Sequence, residues 1–394
     1  MDPLKNPFSP GAGSPPPELA GRGPLLDQAR ITLGRIKSGR PERSVLMVGL
    51  RGVGKTVLLN RIRELADELG FSSILIEAHE GKSLGELLLP ALRQVLIQLD
   101  RMAQISQKTK LGLRILKSFF NGLKVKFHDL EIGIEVDPET GIADSGNLES
   151  DLAQVFIALG EAASDRGHAI ALIIDEMQYL SEKELSALIM AMHQISQRQL
   201  PVVLAGAGLP QLVGLAGRSK SYAERLFQFP EVGALDPIDA MLAVQVPVQE
   251  QGMQFSDDAL QEIVRQTKGY PYFLQEWGYQ AWNIASGSPI EIAVVKRATQ
   301  ESIRRLDANF FRVRFDRLTP REKEYLRALA DMGDTTQRSG DIAERLNVKV
   351  QSIAPVRNGL IKKGIIFSPA HGDTAFTVPL FSEFMKRIMP FEKK

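Results

Sequence analysis

At 394 residues, 44% hydrophobic and 24% charged, the chain is too long for one compact core and too apolar for general disorder, so two or three globular domains are expected. The absence of cysteine excludes disulfides and thiolate metal sites, and the five histidines are scattered without metal-ligand spacing. A formal charge of +1 supplies no global field for nucleic acid, although residues 319–394 carry 13 Lys and Arg against 9 Asp and Glu while the remainder is net negative.

The opening MDPLKNPFSPGAGSPPPELAGRG has Pro and Gly where a signal peptide needs an apolar run, and no apolar run elsewhere approaches membrane-spanning length. A soluble, unexported, cytoplasmic protein is the expectation. Residues 1–17 are expected to form a flexible lead that lies over a surface or stays mobile, because repeated Pro and Gly oppose helix and sheet. From Leu25, the apolar positions Leu26, Ala29, Leu33 and Ile36 recur at helical spacing up to Ser38-Gly39. SVLMVGL then reads as a buried parallel strand, followed by a Gly-rich loop, a helix through about Leu69 and a second strand at 72–78, which together make a βαβ unit. Helices are expected at 83–103, 151–166 and 181–198, and further strands at 168–176 and 199–208. Nearly all-apolar strands alternating with helices give an α/β class with a doubly wound parallel sheet.

Between the second strand and the helix at 151 lies an insertion, about 105–148. Its first half carries Lys108, Lys110, Arg114, Lys117, Lys124 and Lys126 among Leu111, Leu113, Ile115, Leu116, Phe119, Phe120 and Leu123. It suits either a packed helix with a solvated basic face or a contact with nucleic acid, an anionic surface or a protein partner. LEIGIEVDPETG, from 130, suits a strand and turn. Residues 237–305 show helical periodicity broken at 269–271 and 286–289, which suggests a small helical lid. Thr319-Pro320-Arg321-Glu322 is a capping box that launches a helix to about Met332. A short helix at 339–346, a third helix to Lys363, and a hairpin from IIFS and AFTV across His371-Gly372-Asp373 complete the order of a winged helix.

GLRGVGKT at 49–56 fits the P-loop pattern in full, between an apolar strand and an amphipathic helix as the mechanism requires. Gly49, Gly52 and Gly54 let backbone N–H groups converge on phosphate oxygens, and Leu50, Arg51, Val53 and Val57 belong to the same nucleotide-binding run. Lys55 is placed to reach the β- and γ-phosphates of ATP and Thr56 to ligate magnesium. In ALIIDE, Asp175 ends a buried strand and suits the magnesium shell, while Glu176 is placed to polarise the attacking water. Two adjacent carboxylates argue for hydrolysis over nucleotide storage.

GLRGVGKT, ALIIDE and the lead-in ELAGR together resemble the AAA+ ATPases of the origin-recognition type, over roughly residues 18–310, a group that also carries C-terminal winged helices. The resemblance implies that Ala20-Gly21-Arg22 lies near adenine, although Gly23 stands where the family has an acidic residue. It also makes Arg225, in SYAERLFQF, either an arginine finger completing a neighbour's site in a homo-oligomer or a surface ion pair. Two departures bear on mechanism. LAGAG offers Gly206, Ala207 and Gly208 where the family presents a polar residue to the γ-phosphate, leaving that role vacant or filled by another group such as Gln178. TKGYPYFLQEW lacks an obvious sensor arginine and resembles the Gly-x-Pro element of the signal-transduction ATPases with numerous domains, in which Pro271 would pack on the base and report nucleotide state to the lid; otherwise Gly269-Tyr270-Pro271 only breaks a helix.

The expected division is therefore a lead at 1–17, a P-loop core at 18–235, a helical lid at 236–310 and a winged helix at 311–394. In the winged helix, Lys349, Gln351, Ser352, Arg357 and Lys362 are candidates for a major groove, with Arg338 and Arg345 near phosphates. His371 is the only cationic candidate at the wing tip, beside Asp373, so a protein partner is the alternative to double-stranded DNA. The function expected is slow, switch-like, magnesium-dependent ATP hydrolysis.

Overall fold

The computed structural model describes residues 1–11, 13–101, 107–122, 136–370 and 372–390. Lys124, Lys126, Leu123, the expected strand at 130–135 and His371 lie outside them. The chain divides into two compact units, one built from residues 24–48 and 55–231, the other from 1–23, 49–54 and 232–394.

The first unit is a five-stranded parallel sheet in the order β2-β3-β4-β1-β5, with β1 Ser44–Val48, β2 Phe71–Glu77, β3 Ala169–Asp175, β4 Val202–Gly208 and β5 Phe227–Gln228. β1, β3 and β4 are buried at every residue because helices cover both faces, whereas the edge strand β2 exposes Leu75 and Glu77. On one face, α1 (Gly23–Lys37) and α2 (Lys55–Glu68) bring Leu33, Ile36, Leu65 and Ala66 against Phe71, Ala169, Ala171 and Val203. The other face is covered through α3 (Leu84–Arg101), α4 (Gln107–Gly122), α5 (Leu148–Asp165) and α6 (Glu182–Gln197). The basic stretch of the insertion is thus a packing helix along α4: Leu113, Ile115, Leu116 and Phe119 are buried. Arg114 pairs with Glu139 at 3.0 Å, and the Lys117 ammonium donates to the Val136 carbonyl. α7 (Gln211–Ser219) and α8 (Ala223–Leu226) lead from β4 to β5.

The second unit contains α9 (Pro237–Glu250), α10 (Asp257–Thr267), α11 (Pro271–Ile284), α12 (Ile292–Arg305), a π-helical segment at Leu306–Phe311, α13 (Arg312–Asp316) and α14 (Pro320–Asp331). The expected capping box forms: the Thr319 hydroxyl accepts from the Glu322 amide and the Glu322 carboxylate accepts from the Thr319 amide. Then follow β6 (Gln337–Arg338), α15 (Ser339–Arg345), α16 (Val350–Lys362), β7 (Ile366–Phe367), β8 (Asp373–Phe376) and α17 (Phe381–Ile388), with β6, β8 and β7 in one antiparallel sheet. One hydrophobic cluster runs from the helical region into the C-terminal region. Phe310, Phe311, Phe381 and Phe384 meet there edge-on or tilted at centroid separations of 5.2–5.7 Å, and α17, which carries two of them, was not foreseen. The proline-rich lead lies over α11: Asn6 donates to the Tyr279 carbonyl and to Asn283, and the buried Phe8 ring sits where a Cβ on Gly278 would collide with it at 2.7 Å.

Candidate functional site

β1 ends at Val48 and α2 starts at Lys55, so the Gly-rich loop runs directly into a helix N-terminus, whose first-turn N–H groups have no acceptor within the helix and suit an anion. Gly52 and Gly54 hold φ of +83° and +93°, the left-handed region that side chains disfavour. A Cβ on Gly49 would stand 2.1 Å from the Val232 carbonyl oxygen, so the first glycine is demanded by close approach of backbone. The Lys55 side chain is buried, an expensive placement for an ammonium unless anionic groups compensate it.

In the sheet unit, Thr56, Asp175 and Glu176 come together. The Thr56 hydroxyl donates to an Asp175 carboxylate oxygen at 2.6 Å, and the Glu176 amide donates to the other at 2.7 Å. Burial pushes the Asp175 carboxyl above the usual carboxylate range, and these two hydrogen bonds together with Lys55 oppose the shift. A hydroxyl and a carboxylate side by side are hard oxygen donors of the kind magnesium takes, so Thr56 and Asp175 are the residues that would hold such an ion. Among the described residues no group of three or more His, Asp or Glu side chains is placed to hold a metal by itself.

Glu176 stands just past β3 with φ 54°, an uncommon left-handed conformation for a non-glycine residue. Gln178 holds it there: its amide nitrogen donates to the Glu176 carboxylate, and its amide oxygen accepts from the Leu209 amide at 3.0 Å, at the end of β4. The glycines of LAGAG follow from this packing. A Cβ on Gly206 would lie 2.2 Å from the Met177 sulfur, and one on Gly208 would lie 3.0 Å from the Gln178 amide oxygen. Gln178 occupies the place a polar side chain on β4 would need.

In the other unit, the Arg22 guanidinium donates to the carbonyls of Gly233 at 2.6 Å and Val53 at 3.3 Å, which ties the ELAGR lead-in to the P-loop. Burial lowers the pKa of Arg22, and neighbouring Asp239 opposes this. Gly21, at φ +68°, leaves room for the Asp239 carboxylate, which would lie 2.4 Å from a Cβ there. Pro271 takes the first position of α11, and the next residue, Tyr272, donates its amide to the Gly52 carbonyl at 3.1 Å. The Tyr272 ring stacks on Phe310 at 4.8 Å, with the Arg314 guanidinium 4.1 Å from the Phe310 centroid. Tyr272 was not legible as a P-loop neighbour, with only its adjacency to Gly269-Tyr270-Pro271 hinting at it, and Asp239 was not legible as a neighbour of Gly21 and Arg22.

Arg225 is not brought to Glu176. It lies exposed in α8, next to β5, which pairs with the first residues of β1 and so marks the end of the sheet away from Asp175. Among the DNA candidates, Arg338, Lys349, Gln351, Ser352 and Lys362 are exposed. Arg357 is a correction: its guanidinium turns inward, donating to Thr374 at 2.8 Å, Ser368 at 2.6 Å and the Asp373 carbonyl at 2.5 Å, and so clamps the β7–β8 hairpin. Arg345 is paired with Asp331 at 2.8 Å.

Residues 18–204 match the family model described as an AAA ATPase domain, and residues 308–385 match one described as a domain of unknown function, DUF8462. No curated protein matches the chain in sequence. In structure the chain is similar to a Walker-type ATPase of Pyrococcus abyssi (18% identity, TM-score 0.58, 95% of this chain and 98% of that one). It is less similar to the Aeropyrum pernix ORC1 protein solved in complex with DNA (17% identity, TM-score 0.47, 94% of each chain). The Thermotoga maritima RuvB Holliday junction branch migration motor gives 13% identity and a TM-score of 0.45 over 95% of this chain and 96% of that one. The chain therefore has a P-loop NTPase fold in which residues 18–204 resemble an AAA ATPase domain, and no helix among the described residues is long and apolar enough to cross a membrane.

Proposed function

We propose that the protein hydrolyses ATP with magnesium and uses the nucleotide state as a switch. The observation that carries this reading is the Thr56–Asp175 hydrogen bond at 2.6 Å with Glu176 held beside it by Gln178. Lys55 binds the β- and γ-phosphates, with the P-loop amides from Gly49 to Val57 around them. Thr56 and Asp175 hold magnesium, which supplies neutralisation of phosphate charge when bound. Glu176 accepts the proton of the attacking water, and Gln178 fixes the direction of its carboxylate. The glycine arc bonds to Arg22 and Tyr272, which favours a role for Gly21, Arg22 and Pro271 in carrying nucleotide state to the helical lid. Arg225 acts as a finger only if a second copy brings it to a neighbouring site.

Lys55→Ala is expected to abolish nucleotide binding, and Glu176→Gln to bind ATP yet stop turnover, in a phosphate-release assay paired with fluorescent-nucleotide titration. Turnover by Glu176→Gln at the parental rate would remove that glutamate from the mechanism.

The order α14, α15, α16 and hairpin supports a winged helix, and Arg338, Lys349, Gln351, Ser352 and Lys362 make its exposed face the surface for double-stranded DNA. A second reading, a protein partner as in a signalling ATPase, is favoured by the inward Arg357, the paired Arg345 and the exposed Val348 and Val350 at the start of α16. Duplex binding by the full chain separates the two: affinity falling steeply with salt supports DNA, and no binding at low salt removes it.

A further inference from the structure

At the end of the sheet opposite Asp175 is a second concavity. A cleft of about 190 Å³ opens beside Ser44 and Val202, the first residues of β1 and β4. Nucleotide sites of doubly wound sheets lie at the carboxyl ends of the strands, about 13 Å away along β1, so this cleft is separate from the phosphate site. Its floor is mainly apolar: Ile36, Met192 and Ile195 line it and are buried, with Ser44, Ser196 and Gln199 beside them.

Its rim carries three exposed guanidiniums, Arg40, Arg43 and Arg225. None of the three has a carboxylate or hydrogen-bond partner for its side chain among the described residues. Glu42, the acidic residue of the lining, is already paired with Arg35 at 2.7 Å, so that pair cancels. The C-termini of α1 and α6 end beside the cleft and oppose the arginines, but each contributes only about half a negative charge. Three positive charges against roughly one leave a cationic rim over an apolar floor.

We propose that this cleft binds a small organic anion with an apolar body, of the class of a medium-chain carboxylate. Guanidinium and carboxylate match as planar, bidentate partners, which a phosphate-free apolar acid exploits without competing for the P-loop. One water-sized group needs roughly 10–15 Å³ of such space, so a body of about six carbons fits.

The test uses the full chain with butanoate, hexanoate, hexylammonium and inorganic phosphate as probes, followed by calorimetry and by the methyl resonance of isotopically labelled Met192. Each buried methylene is worth about fourfold in affinity, so hexanoate is expected to bind about tenfold or more tightly than butanoate and to shift the Met192 methyl. Hexylammonium is expected not to bind, and the double variant Arg40→Gln/Arg43→Gln, both surface positions that should not disturb folding, is expected to lose about tenfold in hexanoate affinity. The proposal is overturned if hexanoate leaves the Met192 methyl unmoved, if hexylammonium binds as well, if phosphate binds as tightly as hexanoate, or if the double variant binds hexanoate unchanged.

Discussion

Replacing Gln178 by Ala removes both ends of a bridge: the amide that donates to the Glu176 carboxylate and the oxygen that accepts from the Leu209 amide. A hydrogen bond to a charged group is worth about 1.5–3 kcal/mol, and each 1.36 kcal/mol off the barrier is tenfold in rate. If the bond to Glu176 serves to aim its carboxylate at water, kcat should fall about ten- to 150-fold while ATP affinity stays within about threefold, because Gln178 lies outside the P-loop. The Leu209 amide, left unpaired, should cost a further ~1–3 kcal/mol of stability, so turnover is measured well below the variant's melting temperature. Gln178→Glu provides a second reading, since a carboxylate beside Glu176 repels it and should impair turnover at least as much. The assay is steady-state phosphate release at saturating ATP, alongside nucleotide titration. A kcat within twofold of the parent in Gln178→Ala would refute the claim that this residue replaces the polar group missing from β4.

Gly208→Ser, which places a polar side chain on β4, should lower turnover in the parent background, because its Cβ meets the Gln178 amide oxygen at 3.0 Å; a parental rate would show the packing to be adjustable. Arg357→Ala should destabilise the β7–β8 hairpin by about 1–3 kcal/mol by leaving its acceptors unpaired, seen as a lower melting temperature with little change in the salt slope of any DNA binding. The Arg265 guanidinium holds Glu262 down to about 2, below its ordinary 4.5, so the pair stabilises the fold above pH 4.5 and loses that contribution as pH falls towards 2. Glu262→Gln should therefore melt lower than the parent at pH 6 and converge with it near pH 2; a difference that does not change with pH would contradict the ion pair.

The P-loop and the strand ending in Asp175-Glu176 were legible because their signals are local: glycines at fixed spacing, apolar runs of strand length, and a capping box at Thr319–Glu322. The parallel sheet followed from strands buried on both faces, since such strands cannot alternate polar with apolar. β5, with two residues, and the π-helical turn at Leu306–Phe311 carry too few residues to establish a period. The fate of individual side chains was beyond the sequence. Arg357 has the spacing of a groove-reading residue, yet the acceptors that turn it inward come from Ser368, Asp373 and Thr374, on a hairpin folded back onto α16. Likewise, the sequence by itself determined that this chain has a phosphate cradle and a carboxylate pair, whereas only the tertiary structure decided that Gln178 joins Glu176 to the end of β4. That bond depends on two strands becoming neighbours across the sheet, a distance no spacing along the chain encodes.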